Sequence, residues 1–310
     1  MDRSDCYVPV VIAFTPNYFI PAATTLYSLF HAAEKECFHV ICLLSVNLPD
    51  EQKKKIQQIG GVQARYSFID LSDRLQNVSV DSKYTVAALY RLLLPDLLTE
   101  YDKVLYMDCD VIVRNNLGEL FRTVDLGDNY LAGVFEAPVD FQIEHLKKIG
   151  CDPYSYINSG IIIMNLAMLR ADNMTKKFIE LLSHNQYEFP DQDVLNLLCY
   201  GKIVPLKPYY NSIRTFYLPQ YKFFFLKQYT EDDWVKVWQC GNIHYTGDKP
   251  WRRFTVQFSV WWRYYEKLPA NIRNESIVSK RMFVLYQFYK SFLGLFLIDG
   301  IQSLYRKLKY

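Results

Sequence analysis

Alternation between apolar runs and helix-like segments is the feature that most constrains how this chain can fold. A continuous apolar run predicts a buried strand at residues 8–14, and further strands are predicted at 38–45, 63–71 and 103–107, with helices between them at 22–33, 49–59 and 85–98. Strands that alternate with helices form βαβ units. The sequence therefore predicts an α/β fold with a Rossmann-like, mostly parallel sheet.

The second half of the sequence is less regular. Apolar runs at residues 131–136 and 159–165 predict further strands, and residues 171–183, 191–199 and 231–238 predict helices. The pattern breaks at Leu268-Pro269-Ala270-Asn271. We therefore divide the chain into a main domain, residues 1–268, and a helical tail, residues 269–310.

Charge is distributed unevenly between these parts. The whole chain has a net charge of only +2, from 35 basic and 33 acidic residues, which gives no support for nucleic-acid binding. The segment from Arg252 to Tyr310 carries +8 and the remainder −6. Because aromatic residues and leucines alternate with basic residues from 280 onward, the tail predicts a helix on an anionic membrane surface. The alternative is a helix packed on the protein core with its lysines in solvent.

A pair of aspartates is the strongest chemical signal. Asp108 and Asp110 follow the apolar run that ends at Met107, with Cys109 between them. Side chains two residues apart in extended backbone point to the same face, and ligands of open α/β sheets bind beyond the carboxyl ends of the strands. Two carboxylates there suit Mn²⁺ or Mg²⁺ together with phosphates. The alternative is a pair of solvated aspartates in a turn.

Three further segments combine polar and small residues. His244 could complete a metal site, and Gly247 and Lys249 could approach a phosphate. Asp191-Gln192-Asp193 opens a predicted helix, and Asn158-Ser159-Gly160 precedes a strand. The structural alternatives are a hydrogen-bonded histidine before a turn, aspartates favoured by the helix dipole, and an ordinary turn.

Together, and in this order, the motifs resemble glycosyltransferase family 8, which comprises retaining bacterial lipopolysaccharide galactosyl- and glucosyltransferases. The resemblance spans residues 8–265 and also includes Asn17-Tyr18 and Tyr90-Arg91. It implies a GT-A fold, in which a nucleotide-binding sheet is joined to an acceptor region. It further implies a UDP-sugar donor, UDP-galactose or UDP-glucose, with Mn²⁺ as the metal and Mg²⁺ as the alternative.

The resemblance also implies roles for individual residues. Asp108, Asp110 and His244 correspond to the metal ligands, and Gln192 and Asp191 to the catalytic positions. Asn17 and Tyr18 correspond to residues that hold ribose and uracil, with Tyr18 stacked on the base. The predicted donor-binding residues are Ala13, Phe14, Thr15, Asn17, Tyr18, Arg91, Asp108, Cys109, Asp110, Asn158, Gly247 and Lys249.

The chain departs from the family pattern at three places. Thr15 stands where an acidic residue usually meets the uracil, and Glu136 where an aspartate often faces the acceptor. The segment from His244 to Lys249 is one residue shorter than in relatives. Since Gln192 is a poor nucleophile, we favour front-face substitution through an oxocarbenium-like state that Gln192 stabilises.

Two alternatives to this function follow from the sequence. A phosphatase of the haloacid dehalogenase type also uses paired aspartates after a strand, but nearer the start of the chain. A non-catalytic, membrane-associated nucleotide-sugar binding protein would not need the aspartate pair, His244 and Gln192. The seven scattered cysteines, and a start without an apolar leader, predict a cytoplasmic enzyme on the inner membrane face. Its predicted acceptor is a glycan or lipid-linked oligosaccharide.

Overall fold

The structure, a computed structural model, describes residues 7–75, 85–275, 278–291 and 294. Its strands are β1 (Tyr7–Phe14), β2 (Cys37–Leu44), β3 (Ala64–Asp70), β4 (Lys103–Met107), β5 (Val111–Ile112), β6 (Leu131–Phe135), β7 (Ile157–Asn165), β8 (Ile203–Pro205) and β9 (Ile243–His244). Its helices are α1 (Phe19–Ala32), α2 (Asp50–Ile56), α3 (Leu94–Leu97), α4 (Leu117–Thr123), α5 (Asp140–Ile149), α6 (Leu166–Ala171), α7 (Met174–His184), α8 (Pro190–Leu198), α9 (Lys222–Gln228), α10 (Glu231–Cys240), α11 (Phe258–Lys267), α12 (Ala270–Arg273) and α13 (Lys280–Lys290). Short 3₁₀ helices occupy Pro16–Tyr18, Gly61–Gln63, Val86–Leu93, Pro153–Ser155, Pro208–Tyr210, Arg214–Tyr217 and Pro219–Tyr221.

One seven-stranded sheet organises the main domain, in the order β3-β2-β1-β4-β7-β6-β8. The strands β1 to β4 run parallel, as the alternation of strands and helices predicted. The strand β7 is antiparallel to both β4 and β6, and β8 is parallel to β6. The centre of the sheet is buried on both faces, because apolar side chains of β1 belong alternately to two separate core clusters.

A second, two-stranded sheet positions the chemistry. The strand β5 pairs antiparallel with β9, and Val111 lies opposite His244 in this pairing. Since β5 begins one residue after Asp110, the pairing carries His244 to the aspartate pair. Two segments that are distant in sequence are therefore joined by backbone hydrogen bonds at the carboxyl end of β4.

Two predicted helices have a different form in the structure. The segment predicted at 85–98 is a 3₁₀ helix over Val86–Leu93 followed by the short α3. Pro95 lies in the first turn of α3, where proline is tolerated, and it has no N–H with which to extend the helical hydrogen bonds of the preceding segment into α3. The segment predicted at 171–183 starts at Met174, because Asn173 takes a left-handed conformation with φ of 53° and separates α6 from α7.

The start of the predicted tail packs on the main domain. In α13, Met282 and Tyr286 are buried, and the Tyr286 ring stacks on Trp262 at 5.8 Å between centroids. The Tyr286 hydroxyl donates to Glu266 at 2.9 Å. Residues 276–277, 292–293 and 295–310 lie outside the described part of the chain, so membrane contact by the tail stays a prediction. In the part described, no helix has the length and apolar character needed to cross a bilayer.

Candidate active site

A cleft of about 500 Å³ opens where β1 and β4 end. Most of the predicted site residues line it: Ala13, Phe14, Thr15, Tyr18, Arg91, Asp108, Cys109, Asp110, Asn158, Asp191, Gln192, His244, Gly247 and Lys249. Asn17 is exposed in the 3₁₀ turn after β1 and does not line the cleft. The cleft thus lies where parallel sheets bind ligands, beyond the carboxyl ends of their strands.

Hydroxyl groups of α1 hold the loop that carries the aspartates. The buried Thr25 hydroxyl donates to the Val111 carbonyl at 2.8 Å, and its Oγ1 also lies 3.0 Å from the Cys109 carbonyl oxygen. On the other side, the Asp108 backbone N–H donates to the Gly160 carbonyl at 2.8 Å. These contacts with α1 and β7 fix the backbone on which both carboxylates are carried.

Asp108, Asp110 and His244 form a compact set of possible metal ligands. One ligand atom from each lies within 4.8 Å of the others. The His244 Nε2 atom is 3.3 Å from Asp110 Oδ1 and 3.6 Å from Asp108 Oδ2. Asp110 Oδ1 is buried and has no hydrogen-bond partner of good geometry among the described residues. A buried carboxylate oxygen without a donor is costly, and a cation bound here would satisfy it.

The far side of the His244 ring is held by two asparagines. His244 Nδ1 lies 3.0 Å from Asn158 Oδ1 and 3.1 Å from Asn211 Oδ1. Because both neighbours are amide oxygens, we place the imidazole proton on Nδ1, which leaves the Nε2 lone pair free to bind a metal. A Cβ atom at Gly160 would lie 2.1 Å from His244 Cε1. Glycine is therefore required beneath the ring.

The pKa values of the two aspartates are shifted in opposite directions. Burial would raise the pKa of Asp110, but the Lys249 ammonium holds it below its ordinary value. The Lys249 ammonium donates to Asp110 Oδ2 at 2.5 Å and to the Tyr245 carbonyl at 2.6 Å. Burial raises the pKa of Asp108 even though Arg91 lies beside it. A divalent cation would favour the ionised form of both carboxylates.

Arg91 links the end of the cleft that holds Asp108 to the start of α8. Its buried guanidinium donates to Asp108 Oδ1 and to the Ser159 carbonyl, each at 2.6 Å, and Nε lies 3.2 Å from Asp191 Oδ2. The guanidinium also lies over the Tyr106 ring at 4.2 Å. Burial would lower the pKa of Arg91, but Asp108 and Asp191 raise it above its ordinary value. The arginine is a fixed positive charge between two carboxylates.

The Gln192 amide is hydrogen-bonded at both ends. Its Oε1 accepts from the Ser159 backbone N–H and from Asn158 Nδ2, each at 3.0 Å. Its Nε2 donates to Glu136 Oε1 at 3.2 Å and to the Tyr156 hydroxyl at 3.1 Å. Asn158 therefore contacts both His244 and Gln192, and joins the two ends of the site.

The end of the cleft next to β1 contains an aromatic residue, and a glycine with left-handed backbone also lines the cleft. Tyr18 is half-buried against Trp251, edge to face, with 5.8 Å between ring centroids. Burial raises its pKa. Gly247 has φ of 86°, a left-handed conformation that favours glycine. Tyr18, Gly247 and Lys249 all line the cleft, and the positive charge of Lys249 acts on the Tyr18 hydroxyl.

Comparison with known proteins decides the family. The sequence profile described as "Glycosyl transferase family 8" matches residues 9–255. The chain belongs to this family. The resemblance to glycosyltransferase family 8 predicted from the motifs is thereby confirmed. The chain is a glycosyltransferase. This membership argues against both the phosphatase and the non-catalytic alternative.

Several known proteins are similar to this chain over more than half of its length. General stress protein A of Bacillus subtilis is 27% identical over 270 residues, covering 82% of this chain and 90% of that protein. A lipopolysaccharide 1,2-glucosyltransferase of Escherichia coli is 29% identical over 254 residues, covering 76% and 70%. A Haemophilus influenzae protein is 28% identical over 200 residues, and the match spans 60% of its length.

Solved structures share the fold. The galactosyltransferase LgtC, in complex with donor and acceptor sugar analogues, superposes with a TM-score of 0.69 at 24% identity, covering 87% of this chain and all of that one. The glycosyltransferase GlyE of Streptococcus pneumoniae gives a TM-score of 0.62 at 26% identity, covering 87% and 62%. The predicted GT-A fold, an α/β architecture with a mostly parallel sheet, is confirmed.

The sequence did not point to several residues that support the site. Asn211 holds the His244 ring, and Thr25 holds the aspartate loop. Asp193 belongs to the Asp191-Gln192-Asp193 motif, but the sequence assigned it no role in the site; it is fully buried and accepts a 2.5 Å hydrogen bond from Tyr156, whose hydroxyl also contacts Gln192. Asn211 lies in an irregular segment, and Thr25 looks like any helical threonine. No motif in one sequence marks such supporting residues.

Proposed function

We propose that this glycosyltransferase moves a hexose from UDP-galactose or UDP-glucose to a lipopolysaccharide, capsule or other glycan acceptor, with retention of anomeric configuration. The observation that carries the proposal is the grouping of Asp108, Asp110 and His244 at the end of β4, with a buried Asp110 oxygen left without a donor. A cleft built this way suits a metal-bound diphosphate better than a neutral ligand.

The three ligands fit a divalent metal. Two carboxylates and one imidazole favour Mn²⁺, since nitrogen ligands suit it better than Ca²⁺, and Mg²⁺ is the alternative. When bound, the metal supplies Lewis acidity toward the diphosphate of the donor. Asn158 and Asn211 orient His244 for this role by holding its Nδ1.

The donor nucleotide lies along the wall of the cleft formed by Tyr18 and the end of β1. Tyr18 presents an aromatic face to uracil, and Thr15 offers a neutral hydrogen bond at the end of β1. Ala13, Phe14 and Cys109 form the adjoining cleft surface, and Asn17 reaches the ribose from the rim. Gly247 lets the backbone approach the diphosphate, and Lys249 adds a positive charge beside Asp110.

The transferred sugar lies against the hydrogen-bonded group formed by Arg91, Asp191, Gln192 and Asn158. Arg91 and Asp191 are locked together by their ion pair at 3.2 Å, so they offer fixed polar atoms to the sugar hydroxyls. Gln192 and Asn158 are held equally firmly. Preorganised dipoles of this kind stabilise charge that develops only in the transition state. Gln192 stabilises an oxocarbenium-like centre during front-face substitution, and no covalent glycosyl–enzyme is formed.

The acceptor enters beside Glu136. Burial raises the pKa of this carboxyl, and its Oε2 accepts from Gln142 Nε2 at 3.1 Å. Similarity to a lipopolysaccharide glucosyltransferase supports an oligosaccharide acceptor, free or lipid-linked. A lipid-linked acceptor would place the enzyme on the cytoplasmic face of the inner membrane, where the basic tail would contact anionic lipid.

The test is donor turnover with and without Mn²⁺. Purified protein is incubated with UDP-galactose and with UDP-glucose after chelation, and then after Mn²⁺ or Mg²⁺ is restored. Asp110→Asn should reduce turnover at least a hundredfold and weaken Mn²⁺ binding. The matched control is Asp50→Asn, because the Asp50 side chain is 91% exposed. Near-normal turnover of Asp110→Asn at limiting Mn²⁺ would refute the metal assignment.

A further inference from the structure

The short helix α9 exposes a cluster of apolar side chains. Phe223 is 67% exposed and Leu226 is 37% exposed, and the rings of Tyr221 and Phe224 are partly exposed beside them. Single exposed apolar residues are normal, but a contiguous group on one short element marks an interaction surface. We name this group, Tyr221, Phe223, Phe224 and Leu226, the aromatic knob.

The knob is not needed to hold α9 in place. The opposite face of the helix inserts Phe225, which is 1% exposed and packs against Phe216, Tyr229 and Trp234 with ring centroids 5.0 to 5.1 Å apart. The fold is therefore anchored by one phenylalanine while its neighbour Phe223 contributes little core contact. Exposing Phe223 to water has a cost that a binding partner would remove.

Lysines flank the knob. From Tyr217 to Thr230 the sequence holds Lys222 and Lys227 and no acidic residue. The Lys227 ammonium lies 4.6 Å from the centre of the Phe223 ring and 5.0 Å from that of Phe224. It forms no ion pair within the described part of the chain, whereas Lys222 pairs with Glu231 at 2.8 Å. The knob thus presents aromatic rings with a cation beside them.

These features fit the interfacial region of an anionic bilayer. Aromatic rings and leucine enter the headgroup boundary, and lysine ammonium groups remain with the phosphates. A second copy of the chain fits less well, because seven helical residues span only about 10 Å and a stable protein interface buries about 800 Å² on each partner. We propose that α9 is a membrane-docking element, separate from the C-terminal tail.

The position of α9 connects docking to the cleft. The Tyr229 hydroxyl, just after the helix, donates to the Phe135 carbonyl at 2.6 Å, next to Glu136. Gln228 Nε2 donates to the Tyr154 carbonyl at 3.1 Å, close to Tyr156. Both Glu136 and Tyr156 line the cleft. Docking would therefore place the acceptor side of the cleft near the lipid surface, a consequence that rests on the proposed function.

Vesicle binding tests the inference without any transfer assay. The full chain is sedimented with vesicles of phosphatidylglycerol and phosphatidylethanolamine, or of phosphatidylcholine alone. Phe223→Ser combined with Leu226→Ser should weaken binding to the anionic vesicles at least tenfold. Lys227→Glu should weaken binding to the anionic vesicles less than the double variant does. The difference between Lys227→Glu and wild type should shrink at high salt. Circular dichroism and donor turnover in solution should match wild type.

The control removes an exposed apolar residue elsewhere. Val62 is 95% exposed and lies before the edge strand β3. The strand β3 is at the opposite end of the sheet from β8. We therefore expect Val62→Ser to leave vesicle binding unchanged. Equal vesicle binding by wild type and the α9 double variant would overturn the inference. A concentration-dependent dimer in ultracentrifugation, lost in the double variant without any vesicle effect, would overturn it in favour of self-association. Failure of donor turnover in every protein would refute the proposed function and leave this result standing.

Discussion

Replacing Gly160 by alanine should disable the metal site by displacing His244. The added Cβ would lie 2.1 Å from Cε1, 2.5 Å from Nδ1 and 2.9 Å from Nε2 of the imidazole. Non-bonded carbon atoms require about 3.5 Å, so the ring or the strand must shift by more than about 1 Å. Metal–ligand distances tolerate only about 0.2 Å. The shift therefore exceeds the tolerance several-fold.

The ring has little freedom to retreat without loss. Its Nδ1 is held by Asn158 and Asn211, and its backbone N–H donates to the Ser212 carbonyl at 3.0 Å. We expect overpacking to lower the free energy of unfolding by about 1–3 kcal/mol. We expect Mn²⁺ affinity to fall about 10- to 100-fold, the usual cost of disturbing groups that orient a metal ligand.

The matched control is Gly133→Ala in the neighbouring strand β6. Its added Cβ would meet the Ile157 Cδ1 atom at 2.8 Å, the flexible end of an apolar side chain, and not His244. This variant should lose stability without losing metal affinity. Mn²⁺ binding is followed by electron paramagnetic resonance and stability by urea unfolding. If Gly160→Ala bound Mn²⁺ as tightly as Gly133→Ala, the argument that this glycine positions His244 would be wrong.

Two further predictions concern the donor and the pH dependence of stability. Tyr18→Ala should weaken UDP binding by about 1–3 kcal/mol, the value for loss of one base–aromatic stack; unchanged affinity by calorimetry would contradict the stacking role. Burial raises the pKa of Glu136, so in the folded state it ionises at higher pH than in the unfolded chain. Its contribution to stability is complete below the ordinary pKa and is lost as pH rises through the folded value. Glu136→Gln lacks this loss, so its stability relative to wild type should increase with pH in metal-free urea unfolding, and a constant difference would show that Glu136 is not the titrating group.

The order of the central strands could be predicted because β1, β2 and β4 are nearly continuous apolar runs whose residues are almost all buried. The predicted strand at 8–14 is β1, and the predicted strand at 103–107 coincides with β4. The form of the helix after residue 85 could not be predicted. Its apolar spacing suits a 3₁₀ helix as well as an α-helix, and Pro95 affects only the hydrogen bonds near it. Asn173 likewise breaks a segment whose pattern is continuous.

The candidate site likewise contains some residues that could be predicted from the sequence and others that could not. Asp108 and Asp110 follow a strong strand signal, and their position directly after β4, in the turn that leads to β5, places both carboxylates at the carboxyl end of that strand. The contact between His244 and this pair depends on β5 pairing with β9, which a two-residue strand does not reveal in sequence. Asn211 and Thr25 act through single hydrogen bonds. Such bonds are decided by tertiary packing, so their residue types carry no periodic signal.

The hydrogen bonds of Gln192 explain why a neutral side chain stands at this position. A backbone N–H can only donate, so the Ser159 amide fixes Gln192 Oε1 toward it and turns Nε2 toward Glu136. A carboxylate at position 192 would lie about 3 Å from the Glu136 carboxylate and would share the Ser159 hydroxyl with Asp191. One of the three acids would then stay protonated. Glutamine avoids this repulsion and still offers a carbonyl dipole to the cleft. We therefore expect stabilisation of positive charge, not nucleophilic attack, to be the contribution of this residue to transfer.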